Sequence, residues 1–402
     1  MGSLDVIARA LWSALLLCVI SFSSPLRAQP EPIELWHGRV KADQPFLDKL
    51  FKQFTAETGI PVHLRYIIFK NLKVELIGAA FSNAMPDAII APADFLGHYK
   101  ELKLPAIPDS EMPDTIRPRF LKTVELDGKR YGYPFFYGNN LMMFYNKSLV
   151  ETPATSWKEL RVMKPYYDKR NIELITFSYQ EMYWLVPVIG AYGGWPLEGK
   201  KPMLNTPAVI SAFKFYKGLV DEKLVQSDCN LQCSLLKFEQ GKAAFLIDGT
   251  WSYKRLEESI GDDLGVAVLP YIDGKPMRPM YSSHVLAFPD YESQGEKQTK
   301  LDKLRDFIFR KDVQRQFYDE IGQIPTHKEL ASLVEHTTDP NRKAHFHQLE
   351  HARMMPIEPE MSHVWQSLIR GWERYSMHGF SAEESAVYMQ KTVEREIERD
   401  TQ

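Results

Sequence analysis

The stretch Tyr131–Lys147 combines flat aromatic rings with side-chain amides, groups that hold a hydroxyl-rich molecule by stacking and hydrogen bonding. Its bulky residues form two runs, Tyr133–Tyr137 and Leu141–Tyr145, which favour extended strands. The glycine and two asparagines between the runs permit a bend, or a crossing from one sheet to another. Amides that become buried need hydrogen-bond partners. An ordinary strand–turn–strand explains the stretch equally well by itself, so the remaining motifs must decide.

The segment Gln180–Tyr183 follows a predicted strand, and in open α/β sheets ligands collect beyond the carboxyl ends of the strands. The Glu181 carboxylate can accept hydrogen bonds from paired hydroxyls, and Tyr183 offers a ring face together with a hydroxyl. A solvated loop ahead of a helix is the alternative for this segment.

Tryptophans form a second group of candidates. Trp251 lies in the tight turn after the predicted strand Ala243–Ile247, where it is either part of a core or a stacking platform. Its place at a strand-to-helix turn favours the platform. Trp365 and Trp372 share the predicted helix Met361–Tyr375. Because aromatic residues at helical spacing more often pack in a core, we expect at least one of these two to be buried.

Enzyme signatures are absent from the sequence, which has no G-x-S-x-G, G-x-x-x-x-G-K-[ST], G-x-G-x-x-G or H-E-x-x-H pattern. We therefore expect no catalytic residue. A secreted carbohydrate-active enzyme that uses Glu181 with Asp94 or Asp248 as its carboxylate pair stays open as an alternative.

Length and composition limit the class of protein. At 402 residues the chain exceeds one ordinary hydrophobic core, so two lobes are expected. Its 44% hydrophobic and 25% charged residues are typical of a soluble globular protein, and a net charge of −3 gives no basic surface for nucleic acid. His345, His347 and His351 include a pair one helical turn apart that could bind a metal, but their charged surroundings favour surface histidines. We expect neither a metal nor a cofactor.

The elements that must position these groups follow an α/β pattern. Before the aromatic stretch, strands and helices alternate over Ile33–Trp36, Gln44–Glu57, Val62–Tyr66, Leu72–Phe81 and Ala88–Ala91. This order implies right-handed crossovers and a mostly parallel sheet. After the stretch, the alternation resumes over Glu173–Phe177, Tyr183–Tyr192, Pro207–Asp221, Leu235–Gln240, Ala243–Ile247 and Val266–Leu269. Ser282–Phe288 is extended and can return the chain to the first lobe without a flexible linker.

The N-terminus has the order of a cleavable signal peptide over residues 1–28: Arg9, the apolar run Ala10–Phe22, and small residues up to Ala28. The run is too short for a transmembrane helix, which needs about 20 residues. The cysteine at position 18 lies inside the run, so we do not expect a lipoprotein. In an exported chain Cys229 and Cys233 are candidates for a local disulfide, with a pair of buried thiols as the alternative.

Short motifs, each weak alone, occur in a consistent order along the rest of the chain. They are Leu35–Gly38, Glu57–Ile60, Pro86–Asp87 followed by Asp94, Tyr133–Pro134, Tyr145–Lys147, Thr155–Leu160, Gln180–Tyr183, Gly193–Gly194, Phe238–Lys242, Asp248–Trp251, Val268–Pro270 and Met361–Trp365. Together they make the chain resemble the bacterial extracellular solute-binding proteins, the sugar-binding components of ABC transporters, and within them the maltose- and maltodextrin-binding members.

This resemblance implies an α/β, two-lobe periplasmic-binding-protein fold of the type II kind, with a ligand cleft between the lobes and crossing hinge strands. The implied N-terminal lobe comprises residues 29–136 and 285–338, and the C-terminal lobe residues 139–282 and 341–402. The implied function is that of a monomeric, non-enzymatic periplasmic protein, which binds a di- or oligosaccharide and delivers it to the transmembrane permease subunits of an ABC importer.

The candidate ligand-binding residues are His37, Arg39, Asp94, Tyr137, Asn139, Glu181, Tyr183, Trp251 and Trp365. All come from matching the family position by position, except those at 137 and 139, which the crossing between the lobes supplies. The two carboxylates would accept hydrogen bonds from sugar hydroxyls, and the last three residues would stack on sugar rings. The first two lie in a loop that reaches the sugar in the family, and the residues at 137 and 139 fall at the cleft floor.

The chain also departs from the maltose-binding members. Ala91 stands where they have a stacking tryptophan, Phe95 where they have an arginine, and Gly138 or Asn139 where they have a carboxylate. Arg370 is shifted by one residue from a family arginine. These departures predict a carbohydrate ligand without assigning maltose.

A phosphorylated sugar, or another solute that is not a sugar, is a further alternative within the same fold. It rests on His37, Arg39 and Lys41, which cluster in the N-terminal loop.

Overall fold

The computed structural model describes residues 30–290 and 295–400. The predicted signal peptide, residues 1–28, lies outside the described residues. Within the described ranges, no helix combines the length and the apolar character needed to span a membrane.

Strands and helices alternate along most of the chain. The strands are β1 (Ile33–His37), β2 (Val62–Tyr66), β3 (Ala88–Pro92), β4 (Glu125–Leu126), β5 (Lys129–Arg130), β6 (Tyr133–Gly138), β7 (Leu141–Asn146), β8 (Glu173–Thr176), β9 (Leu197–Glu198), β10 (Lys201–Pro202), β11 (Ala243–Gly249), β12 (Leu264–Ala267), β13 (Met280–Ala287), β14 (Ile324–Pro325) and β15 (Arg353–Met354). The helices are α1 (Gln44–Thr58), α2 (Phe69–Phe81), α3 (Pro118–Leu121), α4 (Trp157–Asp168), α5 (Met182–Ala191), α6 (Pro207–Asp221), α7 (Leu231–Glu239), α8 (Tyr253–Ile260), α9 (Glu296–Ile308), α10 (Lys311–Ile321), α11 (Ala331–Glu335), α12 (Pro340–His351), α13 (Glu360–Met377) and α14 (Ala382–Asp400).

The larger sheet has the strand order β14-β6-β13-β3-β1-β2, with β15 beside β13. Its β1 pairs in parallel with β2 and β3, as the alternating strands and helices predict. By contrast, β13 runs antiparallel to both β3 and β6, because it returns from the other lobe. Along the main path of the sheet, only the strands of the first segment are parallel to their neighbours, and beside that path β15 pairs in parallel with β13.

The smaller sheet has the order β12-β7-β11-β8. Here β7 is antiparallel to β11 and β12, and β8 is parallel to β11. Apolar clusters cover both faces of each sheet. Phe54 and Leu72 belong to the clusters on the two faces of the larger sheet, and Ile247 and Phe144 to those of the smaller one. Each lobe therefore consists of a sheet between helices.

The two sheets meet where the sequence predicts a crossing. β6 belongs to the larger sheet and β7 to the smaller one, and only Asn139 and Asn140 separate them. Gly138 and Asn139 have φ values of 138° and 52°, which let the backbone leave one sheet and enter the other. The chain recrosses between β12 and β13, and again before α12, which packs against β12. The predicted two-lobe fold with crossing strands is confirmed.

Local signals explain most element ends. α1 buries its predicted face and ends at Gly59, whose φ of 72° suits a left-handed cap. The Ser381 and Glu384 side chains form the predicted capping box of α14. α7 begins at Leu231 rather than at the predicted Leu235, because the Asn230 side chain accepts a hydrogen bond from the Cys233 amide. Beside this cap, Cys229 and Cys233 form a disulfide with a Cα–Cα distance of 5.4 Å.

Candidate functional site

Three half-buried aromatic side chains of the second lobe lie close together and form what we call the aromatic cluster: Tyr183, Trp251 and Trp365. The Tyr183 ring centroid lies 6.1 Å from that of Trp251 and 6.2 Å from that of Trp365. The three residues come from the first turn of α5, from the turn after β11 and from α13. Trp372, further along α13, is only 3% exposed and belongs to the core. The sequence expectation that at least one of these two tryptophans is buried is thus confirmed.

The turn after β11 fits closely around Trp251. A Cβ at Gly249 would lie 2.2–2.3 Å from ring atoms of Trp251, so only glycine leaves room for the indole there. Both carboxylate oxygens of the buried Asp248 serve this turn: Oδ1 accepts from the Gly249 amide at 2.7 Å and Oδ2 from the Ser252 hydroxyl at 2.8 Å. Burial raises the pKa of Asp248 to about 7, although these two hydrogen bonds act in the opposite direction and lower the pKa. Asp248 therefore shapes the turn that presents Trp251.

Tyr183 is tied to the points where the lobes join. Its hydroxyl donates to the Asn139 carbonyl at 2.6 Å and lies 3.4 Å from the Met280 carbonyl. Burial, and to a lesser extent the Asp94 charge, raise the pKa of Tyr183 well above its usual value, so the phenol keeps its proton. The next residue of the crossing, Asn140, accepts a hydrogen bond from the Thr250 amide at 3.0 Å.

Asp94 lies in a short turn of the first lobe, Ala93–His98, that follows β3, and it is close enough to Tyr183 that, besides burial, its charge raises the pKa of that phenol. Its Oδ1 is buried and has no hydrogen-bond partner among the described residues. Burial raises the pKa of Asp94, while the nearby Lys73 charge opposes the shift. Close by, His98 Nε2 lies 3.0 Å from the hydroxyl of Ser362, one turn before Trp365 on α13. The lobes therefore touch beside a carboxylate oxygen that is ready to accept a hydrogen bond.

The two N-terminal candidates, His37 and Arg39, differ in whether their side-chain nitrogens already have hydrogen-bond partners. His37 is fully buried at the end of β1, and neither ring nitrogen makes a hydrogen bond of normal geometry within the described chain. Burial and the Arg39 charge lower the pKa of His37 to about 4, which keeps the ring neutral. Arg39 instead donates from Nε and Nη2 to Asp43, at 2.8 and 2.5 Å, and its Nη1 lies 3.0 Å from His284 Nε2. The positive charge of Arg39 is thus neutralised by Asp43 inside the first lobe.

The remaining candidates lie around the crossing and the start of α5. Tyr137 is half-buried at the end of β6, with its ring 4.6 Å from that of Phe120 and 5.2 Å from that of Tyr281. Asn139 is half-buried, and its Nδ2 lies 3.4 Å from the Ser282 hydroxyl. Glu181 is exposed immediately before α5 and makes no capping hydrogen bond to the helix. Its carboxylate is therefore accessible next to the aromatic cluster.

One interpretation of the sequence is wrong. His345 is not a surface histidine: it is buried, and its Nε2 lies 3.1 Å from Asn140 Oδ1. The partner residues are far apart in the sequence, so no local pattern could have paired them. The one available signal was that the Asn140 amide, if buried, needs a hydrogen-bond partner. His347 is exposed, and His351 lies 3.2 Å from the Tyr271 hydroxyl. Lys73, near Asp94, was also missed, because it occupies an ordinary position of an amphipathic helix.

The arrangement combines apolar ring faces with a buried acceptor and neutral donors, in a place where two lobes meet. Such a site suits a small molecule that presents apolar faces to the aromatic rings of one lobe and hydroxyl groups to the polar groups of the other. Two α/β lobes that close on a site of this kind, joined by crossing strands, define the two-lobe class of solute-binding proteins.

The chain belongs to the family of bacterial extracellular solute-binding proteins, whose model matches residues 49–344. It is 29% identical over 290 residues to the maltotriose-binding protein of Pyrococcus abyssi, a match that covers 70% of this chain and 63% of that protein. It is 23% identical over 352 residues to the maltodextrin-binding protein MdxE of Bacillus subtilis, covering 80% of this chain and 79% of that protein. The maltose/maltodextrin-binding domain MalE of Bdellovibrio bacteriovorus, solved with maltotriose bound, superposes with a TM-score of 0.84 at 25% identity, over 91% of this chain and all of that one.

Proposed function

We propose that the protein is the periplasmic receptor of an ABC importer, which binds a di- or oligosaccharide between its lobes and delivers it to the transmembrane permease subunits. The observation that carries the proposal is the aromatic cluster of one lobe facing the unpaired Oδ1 of Asp94 in the other. The names of the related proteins, which bind maltotriose and maltodextrins, support the same ligand class.

In this proposal the ligand supplies the groups that the site lacks. Sugar hydroxyls donate to Asp94 Oδ1 and to Glu181, and the neutral His37 ring can donate from one nitrogen and accept at the other. The rings of Tyr183, Trp251 and Trp365 cover the apolar faces of the sugar units. Tyr137 and Asn139 form the floor of the cleft beside the crossing.

The sequence-based alternatives receive less support. The alternative of a sugar phosphate loses the charge of Arg39, which is paired with Asp43 inside the first lobe. A glycosidase pair that includes Asp248 would need a free carboxylate, whereas both oxygens of Asp248 are bonded within its turn. The chain also belongs to a family of binding proteins.

A panel of ligands tests the proposal. Thermal unfolding and calorimetry of the purified protein with maltose, maltotriose, longer maltodextrins, polyols and sugar phosphates should show stabilisation by at least one sugar. Trp251→Ala should abolish most of that stabilisation. Tyr166→Ala, which removes an aromatic ring that is 55% exposed elsewhere on the same lobe, should preserve it. Stabilisation by a sugar phosphate alone, or by no sugar at all, would refute the proposal, and new reducing ends after incubation with maltodextrin would establish the enzyme instead.

A further inference from the structure

The chain crosses between the lobes just before β7 and again between β12 and β13. The Tyr183 hydroxyl contacts both of these crossings. Its acceptor at 2.6 Å is the carbonyl of Asn139, in the first crossing. The second oxygen, at 3.4 Å, is the carbonyl of Met280, the first residue of β13, where the chain re-enters the larger sheet. A phenol carries one proton, so the hydroxyl can make one full-strength hydrogen bond to only one of these carbonyls at a time.

The ring of the same residue belongs to the aromatic cluster. The phenolic oxygen is fixed in the plane of the ring, so a ligand that displaces or orients the ring also moves the oxygen. Tyr183 thus connects the proposed ligand surface to the crossings through a single rigid group. Among the side chains of the aromatic cluster, only that of Tyr183 makes a hydrogen bond to a crossing in the described part of the chain.

The first crossing is a place where one hydrogen bond can matter. Gly138 and Asn139 both have positive φ values, so this backbone is not held by regular strand geometry. Its carbonyl groups are instead bonded to elements of the aromatic cluster: Asn139 O to the Tyr183 hydroxyl, and Asn140 O to the amide of Thr250, next to Trp251. The geometry of the crossing therefore depends on where the cluster lies.

We infer that Tyr183 is a positioning residue, whose hydroxyl couples occupancy of the aromatic cluster to the angle of the crossing strands. The inference rests on the proposed function and extends it. A sugar stacked on the ring restrains the phenol in the position where its hydroxyl donates to Asn139, and so restrains the angle of the crossing strands. When the cluster is empty, the hydroxyl is free to exchange between the Asn139 and Met280 carbonyls.

Tyr183→Phe tests this coupling, because it keeps the ring and removes only the hydroxyl. Its matched control is Tyr179→Phe, which removes a phenol that donates to the Tyr216 carbonyl at 3.1 Å in the core of the same lobe. Stopped-flow tryptophan fluorescence with maltotriose would give the association and dissociation rates. Hydrogen exchange of the amides at 139–141 and 280–282, without ligand, would report on the crossings directly.

For Tyr183→Phe we expect dissociation to become faster by roughly two- to ten-fold, the range of one neutral hydrogen bond, with association unchanged. The crossing amides should exchange faster than in the wild type. Tyr179→Phe should lower the melting temperature, a purely structural effect, and should leave both readouts at wild-type values. Unchanged dissociation and exchange in Tyr183→Phe, or equal changes in the two variants, would overturn the inference.

The two proposals can fail separately. If the wild-type protein binds no sugar of the panel, the proposed function fails. Wild-type binding together with unaltered exchange at the crossings in Tyr183→Phe leaves the receptor function intact and refutes the coupling alone.

Discussion

The unpaired carboxylate of Asp94 gives the sharpest prediction. Asp94→Asn keeps the shape of the side chain and removes its charge. If sugar hydroxyls donate to Asp94 Oδ1, the substitution replaces hydrogen bonds to a charged acceptor, worth about 1.5–3 kcal/mol, by weaker neutral ones. The expected result is a dissociation constant raised by roughly five- to ten-fold for each such bond, since a neutral bond is worth about 1–1.5 kcal/mol less and each 1.4 kcal/mol is a factor of ten. Isothermal titration calorimetry with the preferred sugar measures this change.

The pH dependence provides a second, independent readout. Burial raises the pKa of Asp94, so the ionised form is disfavoured when the lobes close without a ligand. Hydroxyl donors stabilise the ionised form, so protonation competes with binding. Wild-type affinity should therefore be highest above the pKa of Asp94 and fall as the pH is lowered through it. Asp94→Asn, which has no proton to gain there, should lose that dependence. The melting temperature of the unliganded protein should not fall, because the substitution removes no hydrogen bond of Oδ1.

Asp87→Asn is the matched control at the opposite end of β3. There Oδ2 accepts from the Glu34 amide at 2.9 Å, and Oδ1 lies 2.9 Å from Lys297 Nζ. This variant should lose some stability and bind sugar normally. The reasoning is refuted if Asp94→Asn binds within two-fold of the wild type and keeps the same pH profile, or if Asp87→Asn weakens binding as much.

Three further predictions concern neighbouring parts of the structure. Trp365→Ala should weaken sugar binding by roughly ten-fold, as expected for one lost stacking face, with little change in melting temperature. Trp372→Ala should instead lower the free energy of unfolding by about 3–5 kcal/mol. Calorimetry and urea unfolding measure the two effects, and the same profile for both variants would contradict this assignment. Asn140→Ala leaves the buried His345 Nε2 without its partner and should destabilise the protein by about 1–3 kcal/mol, so an unchanged urea midpoint would argue against that pair. Reducing the disulfide, which closes a very short loop, should lower the free energy of unfolding by only about 2 kcal/mol, and a loss of the whole fold on mild reduction would show that its role is larger.

The first lobe was predictable because its signals are local. The strands and helices from Ile33 to Ala91 each carry their own periodicity, Gly59 marks the end of α1, and the alternation of the elements implies the parallel order of β2, β1 and β3. The crossing at Gly138–Asn140 was predictable for a similar reason, since glycine and asparagine mark a change of backbone direction within a few residues.

Pairings between distant segments left no such signal. Asn140 and His345 meet across 205 positions, and Arg39 and His284 across 245, so neither pair could be read from spacing. The consequence is specific: Arg39 has the charge and position of a ligand-binding residue in the sequence, yet its partners in the fold are Asp43 and His284. The location of Trp251 was easier to predict from the sequence, because a tryptophan in a strand-to-helix turn can only pack in a core or lie at the end of the sheet.

The position of β13 in the larger sheet has a consequence for the order of synthesis. β6 and β3 are not neighbours; β13 lies between them and pairs with both. A growing chain therefore cannot join β3 to β6 until the ribosome has made the strands of the second sheet and reached Ala287. Long-range pairing of this kind slows folding. For a member of an extracellular protein family, this late central strand keeps the first sheet incomplete for longer during synthesis.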